Sequence, residues 1–154
     1  MTVEENIEAM GLSLPPTARP LASYVPAVRT GNLVYCSGQL PIREGTVTCA
    51  GKVGPGGQTT EDEARDAAQV CALNCLAAIK GVIGDLETIT RVVRITGYVN
   101  SAPNFSGQPS VLNGASDLVK GVLGDRGEHT RVAVGVAELP LNAAVEVEMI
   151  VEVG

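Results

Sequence analysis

The chain has 154 residues, of which 45% are apolar and 18% charged, with eleven basic residues against seventeen acidic ones and a net charge of −6. That length fits one ordinary domain with enough side chains to fill a core, which excludes global disorder and a two-domain enzyme with its own dinucleotide-binding half. With no basic run and only one Phe and three Tyr to stack on bases, a nucleic-acid surface has little support; the acidic start Met1-Thr2-Val3-Glu4-Glu5 and the absence of an apolar run near the roughly 18 residues of a membrane span predict a soluble, cytoplasmic protein.

Val3, Ile7 and Met10 recur at helical spacing with acidic residues between them, which predicts a short amphipathic helix within an extension over residues 1–14. A Pro- and Ala-rich connection leads to Tyr24-Val25-Pro26-Ala27-Val28, the turn Thr30-Gly31-Asn32 and Leu33-Val34-Tyr35-Cys36-Ser37, the pattern of a hairpin. Between Pro41 and Gln58 a third strand and then an exposed glycine-rich loop are expected. Thr60-Glu61-Asp62-Glu63 is a capping box, and Ala64, Ala68, Cys71, Cys75, Ala78 and Val82 continue it as the stripe of a long helix ending at Gly84. The β-branched stretch Glu87 to Val99 reads as a strand with Ile89, Val93, Ile95 and Val99 on one face. A second helix is predicted from Pro109, with Val111, Ala115, Leu118 and Val122 inward, followed by strands Arg131 to Ala137 and Ala144 to Val153. This order suggests one α+β domain over 1–154, a single sheet with both long helices on one side, and an apolar opposite side that a subunit partner would cover.

Few groups have chemistry to offer. Cys36, Cys49, Cys71 and Cys75 are expected to stay reduced, and the last two fall on an apolar helical stripe, where a small buried hydrophobe is a better reading than a metal pair. His129 is the only histidine, so neither a two-histidine metal site nor a catalytic triad has support; a surface histidine is the favoured reading, with a substrate contact open because of its nearness to Arg131. The glycines at 51–57 and the Gly114-Ala115 pair lack the spacing of a phosphate cradle. Arg131 opens a strand beside small Ala133 and Gly135, so its guanidinium could grip a carboxylate, although an ion pair with Glu146 or Glu148 fits the spacing better. Glu146 and the Ser37-Gly38 strand end are candidates to converge with it.

Gly31-Asn32-Leu33-Val34-Tyr35-Cys36-Ser37-Gly38-Gln39-Leu40-Pro41, with Thr130-Arg131-Val132-Ala133-Val134-Gly135-Val136-Ala137-Glu138-Leu139-Pro140 and Val145-Glu146-Val147-Glu148, resembles the YjgF-like reactive-intermediate deaminase (Rid) family from about Tyr24 onward. The resemblance implies a chorismate-mutase-like fold with a single mixed sheet, and a homotrimer with clefts between subunits. It also implies hydrolysis of 2-imino acids or their enamines to 2-oxo acids and ammonia, with no metal or other cofactor. By the same resemblance Arg131 holds the substrate carboxylate and Glu146 positions water. Tyr24 closes over the substrate, Ser37 and Gly38 line the cleft, and Asn113 matches a family asparagine. Ala133 stands where many members have a cysteine, and the contact implied there is mainly through backbone. A trimeric, non-catalytic binder of a small carboxylated metabolite is the alternative reading, and a ribonuclease the weakest. Retention of Glu146 beside Arg131 favours the enzyme, because sensing a carboxylate needs only the arginine.

Overall fold

The computed structural model describes residues 1–17 and 22–154; part of the Pro- and Ala-rich connection, residues 18–21, lies outside the described residues. Helix α1, Val3–Ala9, starts at a capping box in which Thr2 and Glu5 exchange hydrogen bonds, and it buries Val3 and Ile7. Met10, expected on the same stripe, caps the helix and is exposed. Strands β1 (Ala27–Thr30) and β2 (Leu33–Gln39) form the predicted hairpin, with Gly31 at φ 57 in its two-residue turn.

The third strand differs from expectation. It is a separate hairpin of two-residue strands, β3 (Ile42–Arg43) and β4 (Thr46–Val47), turned by Glu44 and Gly45, both at positive φ, and it does not join the main sheet.

Helix α2, Glu61–Ile83, begins at the Thr60 and Glu63 capping box and ends at Gly84. Ala64, Ala68, Cys71, Cys75 and Ala78 are buried as the stripe requires, whereas Val82 in the last turn is exposed. Its middle is buried nearly all round, including Asn74, whose amide donates to the carbonyls of Leu40 and Ile42 and ties the small hairpin down. By length and composition α2 is apolar enough to cross a membrane, but most of its apolar window is buried, as befits the central helix of this core.

Strand β5 spans Ile89–Asn100, helix α3 Gln108–Leu123, strand β6 Thr130–Val136 and strand β7 Val145–Val153. In β5 two bulges, between Ile89 and Arg91 and between Val92 and Arg94, each add a residue. They bring Val92 into the core in place of Val93, so the strict alternation read from the sequence fails there. The sheet order is β1-β2-β7-β5-β6, antiparallel except for the parallel β5–β6 pair. In β7 Val145, Val147, Met149, Val151 and Val153 face the helix layer, chiefly α2, and are buried. On the other face Val28, Tyr35 and Val134 are 50%, 45% and 40% exposed in the single chain. Cys71 and Cys75 are fully buried with their thiols toward the carbonyls of Val145 and Val147, the packing role their stripe suggested.

Candidate functional site

Strand β6 is an edge strand, and Arg131 pairs with core-facing Ile95, so its side chain leaves the sheet on the helix side. The small neighbours Ala133 and Gly135 do not leave open space there, as the sequence suggested. A Cβ on Gly135 would lie 2.9 Å from both Ser101 Oγ and Gln108 Nε2, and one on Gly97, opposite Ala133, would run into Leu112, so α3 fills the notch. Arg131 is therefore clamped by that helix. Its Nη1 donates to Asn113 Oδ1 at 2.9 Å and to Ser116 Oγ at 3.1 Å, and its Nη2 to the Pro109 carbonyl at 3.3 Å. The expected ion pair with Glu146 or Glu148 does not form: among the described residues no carboxylate lies within 4 Å of this half-buried guanidinium. Nη1 has an acceptor for each of its hydrogens and Nη2 one for its two, while Nε has none among the described residues, so the Nε–Nη2 edge is the one with hydrogens to spare for a carboxylate. The guanidinium opens on a depression of about 460 Å³ lined also by Asn113, Ser116, Lys120, Glu128 and His129.

Glu146 occupies the other side of the sheet, on the solvent parity of β7 and paired with Tyr98. A bulge interrupts the β2–β7 pairing between Cys36 and Gln39, with Ser37 and Gly38 in it. Gly38 is there for a steric reason: a Cβ would sit 2.8 Å from Glu146 Oε2 and 2.9 Å from its Cδ. Ser37 donates from Oγ to the Val25 carbonyl at 2.6 Å and from its backbone N to the Pro26 carbonyl, which holds the exposed Tyr24 segment against the same sheet edge. Burial, and then the neighbouring charge of Glu148, push the Glu146 carboxyl above its usual range. Tyr98 donates to Glu148 Oε1 at 2.8 Å, a bond that pushes the phenol up to about 12.

Two candidate half-sites result. Arg131, Asn113 and Ala133 sit at the β6 edge on the helix side; Glu146, Ser37, Gly38 and the Tyr24 segment sit around β2 and β7, on or beside the opposite face. The convergence of Arg131 with Glu146 that the sequence invited does not occur within one chain, because they stand on opposite sides of the sheet with β5 between their strands. The Ala133 methyl packs against the core, so what Ala133 can offer a ligand at this edge is backbone. Sequence reasoning missed Ser116, and it favoured a surface role for His129, which is in fact half-buried and bonded to Ser116 Oγ at 2.9 Å. The available signals were that Ser116 follows Asn113 by three on one helix face and that His129 shares strand parity with Arg131.

This main mixed sheet, layered on one side by two helices, defines an α+β protein of the chorismate-mutase-like kind. A family model described as "YjgF/chorismate_mutase-like, putative endoribonuclease" matches residues 4–153, so the matched stretch begins inside α1. The chain belongs to this YjgF-like family. It is 42% identical over 151 residues to protein TCP17 of Trypanosoma cruzi, covering 97% of this chain and 93% of that protein. It is 29% identical over 140 residues to a 2-iminobutanoate/2-iminopropanoate deaminase of Dermatophagoides farinae, covering 91% and 93%. The crystal structure of protein Atu1372 from Agrobacterium tumefaciens superposes with a TM-score of 0.90 at 43% identity, over 99% of this chain and 92% of that one.

Proposed function

We propose that this chain hydrolyses reactive 2-imino acids and their enamine tautomers, of the 2-aminoacrylate and 2-iminobutanoate type, to 2-oxo acids and ammonia, as a homotrimer whose clefts join the two half-sites. The observation that carries the reading is Arg131: a half-buried cation held by three neutral acceptors, with its carboxylate-binding edge unspent. The deaminase relative supports the reaction class.

The chemistry asks little of the protein, because an imine is already an electrophile. Water adds to C2 of the protonated imine and gives a carbinolamine; a proton passes from the added oxygen to nitrogen; the C–N bond breaks, ammonia leaves and the carbonyl forms. Arg131 fixes the carboxylate beside C2. Glu146 of a neighbouring copy, its carboxyl raised by burial, takes the proton from water and returns it to the departing amine. No step needs a metal or an organic cofactor, and the reading assigns no nucleic acid or membrane partner.

The test is to generate an imine in situ with an amino-acid oxidase and follow its decay. Wild type should accelerate it, and Arg131→Ala should lose about ten- to a hundredfold in kcat/KM, the worth of hydrogen bonds to a charged group. Glu146→Gln should depress turnover while 2-oxo acids still bind. If wild type binds 2-oxo acids through Arg131 yet accelerates no imine, the reading fails and a non-catalytic binder replaces it.

A further inference from the structure

Ser116 lies in the middle of α3, where a serine hydroxyl ordinarily turns back to the carbonyl one turn earlier. Here it is buried, and the partners it has are Arg131 Nη1 at 3.1 Å and His129 Nε2 at 2.9 Å. His129 Nδ1 lies 2.6 Å from the Gly127 carbonyl. A carbonyl only accepts, so Nδ1 carries the hydrogen, and in the neutral ring Nε2 is left as an acceptor. With the ring neutral, the directions follow: Arg131 donates to Ser116 Oγ, Ser116 donates to His129 Nε2, and His129 donates to the Gly127 carbonyl. Gly127 is itself packed against α3, since a Cβ there would lie 2.5 Å from the Val119 carbonyl, so the relay ends on fixed backbone.

We infer that Ser116 and His129 are positioning residues which hold the Arg131 guanidinium in the plane that presents Nε and Nη2 to a carboxylate. The inference rests on the reading of Arg131 as a carboxylate anchor. It assigns His129 neither proton transfer nor a substrate contact. Without Ser116 the guanidinium would keep Asn113 on Nη1 and only the long 3.3 Å bond from Nη2 to the Pro109 carbonyl; the further bond, to a serine whose own rotation His129 locks, fixes its plane. Because every acceptor in the clamp is neutral, the positive charge stays available to the ligand, which an ordinary ion pair would cancel.

The experiment measures the affinity of the intact protein for 2-oxobutanoate by calorimetry, with thermal midpoints recorded beside it. Ser116→Ala should weaken binding about tenfold, as expected for one lost bond to a charged group. His129→Leu should weaken it severalfold, and His129→Gln, which can again offer Ser116 an acceptor, should recover most of that loss. The double variant Ser116→Ala with His129→Leu should bind no worse than Ser116→Ala, because both cut one chain. In imine turnover the change should fall on KM more than kcat. Two results overturn the inference: thermal midpoints that fall while affinity stays at the wild-type value, or losses that add fully in the double variant. Either leaves the Arg131 anchor standing if Arg131→Ala still loses binding. Loss of no affinity in Arg131→Ala would instead remove the anchor itself, and the relay with it.

Discussion

Glu146 shows at the scale of one residue how a site stores free energy against folding. Burial disfavours its charged form, and the Glu148 carboxylate adds repulsion, so the folded chain holds a proton on Glu146 more tightly than the unfolded chain does. The sign follows by linkage: as pH rises from the ordinary carboxylate range through the raised value, the unfolded state ionises first and stability falls. Glu146→Gln removes that penalty. Its thermal midpoint should exceed wild type at about pH 7.5, and the gain should shrink towards about pH 3, where both forms are protonated; a gain that is the same at both pH values would contradict this account. The residue types of this candidate half-site were legible in the sequence, because Ser37-Gly38 and Glu146 carry the family pattern. The reason for the glycine was not, since only the folded register sets Gly38 against the Glu146 carboxyl.

Among the elements, α3 matters most to Arg131, and one glycine sets its depth. A Cβ on Gly114 would sit 1.9 Å from the Arg65 carbonyl of α2, a backbone atom that cannot rotate away. Arg65 reinforces the crossing by donating from Nε to the Ser110 carbonyl at 3.0 Å. Alanine would improve helix propensity by about 1 kcal/mol, but overpacking against backbone costs about 3 kcal/mol, so the steric term wins. Gly114→Ala should lower the thermal midpoint by about 4–8 °C. It should also weaken 2-oxo acid binding, because Asn113 and Ser116 flank the displaced residue; an unchanged midpoint would show that the helices have slack here. The elements themselves were readable. Capping at Thr60, the stripe from Val111 to Val122 and the alternation of β7 are local signals that the tertiary structure keeps. What escaped were departures from periodicity: the paired bulges that exchange Val93 for Val92, the detached β3–β4 hairpin and the bulge that presents Ser37 and Gly38. A bulge is one extra residue whose presence is decided by the partner strand, so a single segment read alone does not contain it.

For the whole molecule, the separation of the two half-sites is the governing fact. Arg131 and Glu146 stand on opposite sides of one sheet, and the face that carries Glu146 also exposes Val28, Tyr35 and Val134. A second copy that covers this apolar face is the route by which the proposed trimer would complete a cleft, using Arg131 of one copy and Glu146 of the next. That arrangement has a quantitative consequence. On the proposed reading Arg131→Ala and Glu146→Gln should each be strongly impaired alone, since every cleft of either homotrimer would lack one group. When the two variants are co-expressed in equal amounts and assemble at random, about three quarters of the trimers are mixed, and each mixed ring holds one cleft with both groups intact, so about a quarter of wild-type imine hydrolysis should return. A chain carrying both substitutions, co-expressed in equal amounts with wild type, is the complementary control and should leave about a quarter of the activity per total chain, because an intact cleft then needs two neighbouring wild-type copies, whereas a site built within one chain would leave about half. The first mixture is the decisive one. Activity no greater than the sum of the two variants measured separately, in trimers shown by mass to contain both chains, would mean that no cleft draws these residues from different copies, and the assembled-site reading would have to be abandoned.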